Sequence, residues 1–229
     1  FLPKISNIET YDRNDEVHQF NFPEHITDIS LTESHDVLEF CDHLPPRLQK
    51  FELNLESALM DSDLTKLPRT LVQLILHLNT MLTDACMPLL PPQLEVLHLP
   101  ENPNFTNAAI ALLPRGLRSL DLQSAHKLDD DCSAQLPRTL ELLNLAAAHF
   151  TGVHFAHLPS SLTLLDLSGS QELFKADPST LPKSLTELRA PDAFMAKCAG
   201  VLPLLVLSQV DTGAQSNVDD LWDPLDPFG

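Results

Sequence analysis

The sequence predicts an α/β solenoid, in which short parallel strands form a curved sheet on a concave face and short helices or turns cover the convex face. Three observations predict this fold. A Leu-Pro or Phe-Pro pair recurs every 20–23 residues, a Leu-x-Leu pattern follows nearly every pair, and a short polar segment fills the rest of each unit. The prolines that mark the units are Pro3, Pro23, Pro45, Pro68, Pro91, Pro114, Pro137, Pro159, Pro182 and Pro203.

The strand of each unit follows its proline. Leu74 and Leu76, for example, follow Pro68 and are separated by one residue, so both side chains face the same side of an extended chain. The early units use Ile or Phe at some of these positions, and the unit after Pro182 ends in Ala190. Because strands stack about 4.8 Å apart, we expect the repeated leucines to form one continuous core.

The second half of each unit predicts a short outer helix. An apolar residue is followed there by Thr, Asp or Asn, which are common at helix N-caps. The segments with this pattern are Leu82-Thr83-Asp84, Phe105-Thr106-Asn107, Leu128-Asp129-Asp130 and Phe150-Thr151-Gly152. About seven residues then remain before the next proline, which leaves room for one or two helical turns. The proline ends the helix because it has no N–H group to donate.

The pattern LPxxLxxLxL, with a period near 23 residues, resembles the leucine-rich repeat. The resemblance covers residues 1–203, and the Thr-Asp helix start is most similar to the ribonuclease-inhibitor and cysteine-containing subtypes. We interpret residues 204–229 as a C-terminal cap with an acidic, aromatic tail, and the run from Leu204 to Leu207 as an edge strand or cap. Because Leu2-Pro3 already belongs to a unit, we expect further repeats, a cap or a partner before it.

The charge of the chain restricts the class of partner. The chain has 14 Lys and Arg against 32 Asp and Glu, so its net charge is −18 with His neutral. Nucleic acids and anionic membranes are bound mainly by clustered basic side chains, so neither is an expected partner. No run of 18 apolar residues is present, so no membrane-spanning helix is expected. We expect a protein partner that carries a basic patch.

The sequence offers little support for catalysis, a cofactor or a metal. It contains no phosphate loop, nucleophile elbow or HExxH motif. His126 lies in register with His149 of the next unit, but no Cys or second carboxylate follows the same spacing, so no metal site is expected. The expectation is therefore a protein without enzymatic activity, cofactor or bound metal.

The cysteines indicate a cellular compartment. Cys86, Cys132 and Cys198 each lie five residues before a repeat proline, so they occupy the same place in different units. Cys86 and Cys132 are two units apart, about 10 Å, which is too far for a disulfide. Unpaired thiols are typical of a reducing compartment, so we expect an intracellular, cytoplasmic location. The glycosylation triplet Asn104-Phe105-Thr106 favours secretion instead.

The main candidate for binding is the strand face that points away from the leucine core, which we call the concave face. Polar side chains are expected where this face meets solvent, yet four of its positions are apolar: Ile75, Val96, Leu142 and Leu164. Apolar spots with polar rims are typical of protein contacts, although single apolar side chains are also common on ordinary surfaces. The residues predicted to bind the partner are Glu52, Ile75, His77, Val96, His98, Asp121, Gln123, Leu142, Asn144, Leu164 and Asp166.

The tail is the second candidate. Residues 216–229 are acidic and include Trp222 and Phe228. The triplet Asp226-Pro227-Phe228 resembles peptides that bind the appendage domains of clathrin adaptors. The alternative is that Trp222 and Phe228 pack on the last repeat as a cap.

These observations predict a non-enzymatic protein–protein recognition module that binds its partner on an acidic concave face. Two alternatives remain open. The outer-helix subtype is similar to that of F-box leucine-rich proteins, so the chain is alternatively the substrate-receptor portion of a ubiquitin-ligase-type protein. The third possibility is a structural subunit of a larger assembly. Fold alone does not distinguish these functions.

Overall fold

The computed structural model describes residues 22, 24–31, 41–53, 59–199, 201 and 206–207. Within these residues nine strands form one open parallel sheet, and their order in the sheet is their order along the chain. The predicted α/β leucine-rich solenoid is confirmed. The strands are β1 (Asp28–Leu31), β2 (Lys50–Leu53), β3 (Gln73–Leu76), β4 (Val96–His98), β5 (Ser119–Asp121), β6 (Leu142–Asn144), β7 (Leu164–Asp166), β8 (Glu187–Arg189) and β9 (Val206–Leu207).

The repeat period sets the register between strands. Leu74 pairs with Leu97, and Leu97 pairs with Leu120, so the repeated leucines lie directly beside one another. The row continues through three more strands, at Leu143, Leu165 and Leu188. All six leucines are buried and belong to one continuous core. Each buried leucine stabilises the fold by about 1.5–3 kcal/mol relative to an exposed one.

The outer side of each coil carries a short helix, as predicted. The α-helices that lie wholly within the described residues are α1 (Asn107–Ala111) and α2 (Asp192–Cys198). The other helices within the described residues are 3₁₀ helices, whose larger rise of about 2.0 Å per residue spans the coil with fewer residues than an α-helix needs. The 3₁₀ helices are Asp61–Lys66, Asp84–Leu89, Asp130–Gln135, Phe155–His157, Gln171–Lys175 and Pro178–Thr180.

Three of the four predicted N-caps are confirmed. The side chains of Thr83, Thr106 and Asp129 each accept a hydrogen bond from the backbone N–H two residues later, at 3.3, 3.2 and 3.0 Å. Each bond satisfies one of the N–H groups that a helix leaves unpaired at its start. In these three coils a Thr or Asp side chain therefore marks the start of the outer helix.

A second set of hydrogen bonds links each outer turn to the next coil. Asp84 accepts from the N–H of Thr106 at 2.9 Å and from its hydroxyl at 2.5 Å. Asp61 accepts the same pair of bonds from Thr83. One coil further on, Asn107 donates its amide to the Asp129 carboxylate at 2.6 Å. An aspartate in place of Asn107 would instead be repelled by Asp129. We call this series the capping ladder.

The prediction that an outer helix begins at Thr151 is wrong. The helix of that coil is Phe155–His157, and its N-cap residue His154 makes no side-chain capping bond. Thr151 instead donates its N–H and its hydroxyl to Asp130, both at 2.8 Å. Thr151 therefore belongs to the capping ladder, because the residue types that cap a helix also suit a bond to the preceding coil.

The turns that follow β3, β4, β5, β6 and β7 each contain one residue in the left-handed region. Only the last of these five residues is a glycine. Left-handed backbone costs about 1–2 kcal/mol for residues with a Cβ, so each of the other four turns is strained. The residues, with their φ angles, are Leu78 (53°), Glu101 (61°), Ser124 (65°), Ala147 (62°) and Gly169 (79°).

The last strand of the described chain is β9. Val206 pairs in parallel with Glu187, and Leu207 pairs with Leu188, in agreement with the edge-strand interpretation for these two residues. The first predicted unit, after Pro3, lies outside the described residues, as do Trp222 and Phe228 of the tail. The division into residues 1–203 and 204–229 therefore stays a prediction.

Candidate functional site

The strand register brings most of the predicted binding residues onto one face. The row between the leucines pairs Ile75 with His98, His98 with Asp121, and Asp121 with Asn144. Neighbouring strands lie about 4.8 Å apart, so these side chains stand side by side. Nine of the eleven predicted residues lie in β2–β7 on the concave face: Glu52, Ile75, Val96, His98, Asp121, Leu142, Asn144, Leu164 and Asp166. His77 directly follows β3, and Gln123 lies two residues after β5.

The expectation of exposed apolar spots on this face is wrong for three of the four residues. Ile75 and Val96 are each only 6% exposed, and Leu164 is 7% exposed. Each lies between the side chains of two neighbouring strands, and Ile75, for example, lies between Glu52 and His98. Only Leu142 remains half-buried. The accessible apolar area is therefore smaller than the sequence pattern indicates.

The acidic and amide side chains of the row are also buried. Asp121, Asn144 and Asp166 are 6%, 0% and 5% exposed. Each accepts a hydrogen bond from the backbone N–H two residues later, at 2.8, 2.9 and 2.8 Å. The Asn144 amide also donates to Asp121 at 3.1 Å. These side chains thus end the strands and hold the turns that follow them, a role that the repeat pattern in the sequence does not indicate.

His98 is a buried, neutral member of the row. Its Nε2 shares a hydrogen bond of 2.9 Å with the Ser119 hydroxyl. Burial lowers the pKa of His98 from its ordinary 6.5 to about 3, and the nearby charges of His77 and Lys50 act in the same direction. At neutral pH the imidazole is therefore uncharged and serves as a hydrogen-bonding group inside the sheet.

The charges of the concave face are partly paired at its two ends. Lys50 lies 3.1 Å from Glu52. Arg189 lies 2.9 Å from Glu187 and 3.7 Å from Asp166. Burial raises the pKa of Asp166, although hydrogen bonds from Ser168 and the charge of Arg189 favour its ionised form. The face is thus less acidic than the row of carboxylates alone indicates.

One accessible part of the concave face lies along the strand ends. His77, Gln123, Ala146 and Ser168 follow β3, β5, β6 and β7 and are half-buried. Leu142 adds one accessible apolar side chain beside them. This strip offers an imidazole, an amide and small apolar surface, which are suited to direct contact with a polypeptide, whereas the Ser168 hydroxyl oxygen itself is buried.

The cysteines are buried thiols within the outer part of the coils, as expected. Cys41, Cys86, Cys132 and Cys198 are all free and buried. Burial raises the pKa of Cys41, Cys86 and Cys132 to about 12, and that of Cys198 to about 11. A protonated, buried thiol is a poor nucleophile and a poor metal ligand.

The outer histidines approach one another in pairs. The rings of His126 and His149 lie 6.5 Å apart, and those of His154 and His157 lie 5.3 Å apart. Nowhere in the described part of the chain do three His, Cys, Asp or Glu side chains cluster closely enough to hold a metal ion.

None of the helices among the described residues is long and apolar enough to cross a lipid bilayer.

Solved structures with a similar fold include two proteins of different origin. A chain in the crystal structure of the yeast Rad7 and Elc1 complex matches with a TM-score of 0.64 and 20% sequence identity, over 85% of this chain. The match covers 56% of that chain, so this chain spans little more than half of its length. The leucine-rich repeat-containing protein LegL7 from Legionella pneumophila matches with a TM-score of 0.48 and 15% identity, over 80% of this chain and 73% of LegL7.

No protein-family model and no curated protein sequence matches the chain. Its fold is nevertheless defined by the 23-residue period, the in-register leucine row and the likeness to a chain of the Rad7 and Elc1 complex. On these grounds the chain has the leucine-rich repeat fold.

Proposed function

We propose that this chain is a non-enzymatic protein-recognition module whose concave face binds a partner protein with a basic patch. The observation that carries this proposal is the strip of accessible groups along the ends of the strands. It consists of His77, Gln123, Leu142, Ala146 and Ser168, which are half-buried beside a fully buried polar row. Because these side chains are half-buried, their conformations are already restricted, so ordering them against a partner costs less entropy than ordering fully exposed side chains.

The buried row beneath the strip favours recognition because it keeps the surface rigid. Asp121, Asn144 and Asp166 are occupied by hydrogen bonds to the backbone of the turns. The turns that carry Gln123, Ala146 and Ser168 are therefore held in one conformation before any partner arrives. A preorganised surface costs less entropy on binding than a mobile one.

The chemistry of the same face supports a function without catalysis. A general base must be accessible and have a pKa near the working pH, whereas His98 is buried and its pKa is about 3. The thiols are protonated and buried, which argues against nucleophilic catalysis by cysteine. A reducing, intracellular compartment suits four free thiols, so we assign the protein to such a compartment within this proposal.

The net charge of −18 supports a partner with a basic patch. Long-range attraction between opposite charges raises the association rate and is screened by salt. We therefore expect the association rate to fall about tenfold or more between 50 and 500 mM salt. An association rate that does not change with salt would contradict a basic partner.

The test is capture of partners from native extract, analysed by mass spectrometry. One bait is the full chain, and a second carries Gln123→Arg, Leu142→Arg and Ser168→Arg on the concave face. The matched control carries Ala85→Arg, Ala108→Arg and Ala156→Arg at exposed outer positions, with the same change in charge. We expect the concave variant alone to lose the partner. If both variants keep it, the concave face is not the binding surface.

The two alternatives remain proposals that the same experiment separates. The similar chain in the Rad7 and Elc1 complex is part of a two-protein assembly. By analogy, the first alternative is that this chain acts within a larger receptor. Components of a ubiquitin ligase among the captured proteins would favour the substrate-receptor alternative. A structural subunit would instead aggregate or elute as an oligomer when expressed alone, which size-exclusion chromatography measures.

A further inference from the structure

A row of basic side chains lies along the opposite edge of the sheet from the accessible strip. Four of them directly follow a repeat proline and lie four residues before a strand: Arg69, Arg115, Arg138 and Lys183. Arg47 lies three residues before β2. In a parallel sheet all strands start at the same edge, so these five side chains share one side of the solenoid. We call this set the basic edge.

The basic edge is unusual for a chain with a net charge of −18. All five of its side chains are exposed. Lys50, Lys66, Arg118 and Arg189 form ion pairs, whereas in the described part of the chain no carboxylate lies within 4 Å of any basic-edge cation. Among the described residues Lys127, Lys175 and Lys197 also lie outside the ion pairs, but only the basic edge brings five such cations to one side of the sheet.

Two arginines at the centre of the basic edge are held in place by backbone carbonyls. Arg115 donates to Gln135 at 2.9 Å and to Ala111 at 2.6 Å. Arg138 donates to His157 at 2.7 Å and to Ala134 at 3.1 Å. These bonds satisfy the carbonyls at the ends of the outer helices, which is their structural role. A guanidinium has five N–H donors, so three on each side chain stay available for a ligand.

The surface between these arginines is a shallow depression. It has a volume of about 450 Å³ and is lined by Arg115, Arg138, Leu136, Thr139 and neighbouring small side chains. Arg115 and Arg138 lie on adjacent coils, about 5 Å apart along the solenoid. Alternate residues of an extended chain place their side chains on one side about 6.6 Å apart, so each of two such carboxylates can reach one of the fixed guanidinium groups.

The length of the basic edge fits a short peptide. Arg69 precedes β3 and Lys183 precedes β8, so five strand spacings, or about 24 Å, separate them. An extended peptide rises about 3.3 Å per residue, so eight residues span this distance. Glu95 is exposed at the same edge, between the coils of Arg69 and Arg115, and disfavours an acidic residue at that point of the peptide.

We propose that the basic edge is a second binding surface, and that it takes an extended acidic segment of a partner protein across Arg69, Arg115, Arg138 and Lys183. This surface is distinct from the concave face and has the opposite charge preference. The net charge of −18 repels every polyanion at longer range, so a segment with a few carboxylates is favoured over nucleic acid, which carries a charge on every nucleotide. The protein would then hold a basic partner and an acidic partner at two edges of one sheet.

The test is fluorescence anisotropy with the full chain and a labelled ten-residue glutamate peptide in 50 mM salt. We expect binding that weakens at 300 mM salt. The variant Arg115→Gln with Arg138→Gln should weaken binding at least fivefold. The control Lys127→Gln with Lys175→Gln makes the same change in charge away from the basic edge and should change binding less than twofold. Equal losses in both variants, or no binding at all, would overturn the proposal.

Two further arms distinguish other occupants and a loss of folding. Arg115→Lys with Arg138→Lys keeps the charge but not the paired donors, and we expect binding between that of the wild type and the glutamine variant. A ten-residue oligothymidylate that binds as tightly as the peptide would overturn the choice of a protein partner. Replacing Asp219, Asp220, Asp223 and Asp226 by Asn tests the chain's own tail. If this replacement tightens peptide binding more than tenfold, and only while Arg115 and Arg138 are present, the occupant is the tail and not a partner.

Discussion

His98 makes a prediction about stability and pH. In the folded chain its pKa is about 3, because the imidazole is buried on the concave face. In the unfolded chain it returns to 6.5. Between these values the unfolded chain binds a proton that the folded chain does not, so acid favours unfolding. The contribution is fully present above pH 6.5 and is lost as the pH falls from 6.5 towards 3.

The magnitude follows from the two pKa values. At pH 5 the unfolded state gains about 2 kcal/mol from protonating this one histidine, and at pH 7.5 it gains almost nothing. The loss of stability at pH 5 depends only on the pKa of His98 in the unfolded chain, provided that its pKa in the folded chain lies below about 4. Replacement of His98 by Gln removes the titration and keeps a side chain that can bond to Ser119.

The assay is urea unfolding followed by circular dichroism at pH 7.5 and pH 5.0. Between pH 7.5 and pH 5.0, the free energy of unfolding of the wild type should fall by about 2 kcal/mol more than that of His98→Gln. The raised pKa of Asp166 opposes acid destabilisation, but it is present in both proteins and cancels in the comparison. His149→Gln, at an exposed outer histidine, serves as the control and should behave as the wild type. Equal losses in wild type and His98→Gln would refute the reasoning.

Three further predictions concern the coils, and each is checked by urea unfolding of the variant. Asp130→Ala should lower the free energy of unfolding by about 2–4 kcal/mol, because three donors of Thr151 and Gly152 lose their acceptor. The control Asp131→Ala, at an exposed side chain, should lower it by less than about 0.5 kcal/mol. Glu101→Gly should raise the free energy of unfolding by about 0.5–1 kcal/mol, because glycine adopts a φ of 61° without steric strain. A lower free energy of unfolding in this variant would show that the turn is not strained. Gly152→Ala should lower the free energy of unfolding by more than about 2 kcal/mol. Gly152 has a φ of 84°, and a Cβ added to it would lie 2.4 Å from the Cβ of Ala176. An unchanged free energy of unfolding would contradict this packing.

The strands were predictable because their signal repeats. Leu74, Leu97 and Leu120 occur at equal spacing, so one register satisfies every pair of neighbouring strands. The outer helix starts at Thr83 and Thr106 were predictable for the same reason, since a cap residue stands at a constant distance from each strand. Thr151 was misassigned because a threonine there suits both a helix cap and a bond to the preceding coil.

The burial of the concave face was not predictable from one coil at a time. Ile75 and Val96 alternate with the core leucines, as solvent-facing residues do, and only their neighbours in adjacent strands bury them. The left-handed turns gave no signal either, because Glu101, Ser124 and Ala147 are not glycines. The triplet Asn104-Phe105-Thr106 is explained by packing and hydrogen bonds. Phe105 is buried, Asn104 donates to Thr80, and Thr106 caps α1.

The capping ladder was missed because its partners lie about one unit apart in the chain. Asp84 and Thr106 are each ordinary residues of an outer turn, and only the stacking of coils brings them together. The basic edge was missed for a related reason. The overall charge of −18 hides four cations that share one position relative to the strands, and a fifth, Arg47, one residue away from that position. Average charge therefore describes this solenoid less well than charge at each position of the repeat.

The central claim is that a partner contacts the concave face, and site-specific photocrosslinking tests it most directly. A benzophenone amino acid is placed at Gln123 or Leu142 on the concave face, or at Ala108 on the outer side as a control. After irradiation in native extract, we expect one crosslinked partner from the two concave positions and none from Ala108. A partner crosslinked only from Ala108 would contradict recognition through the concave face.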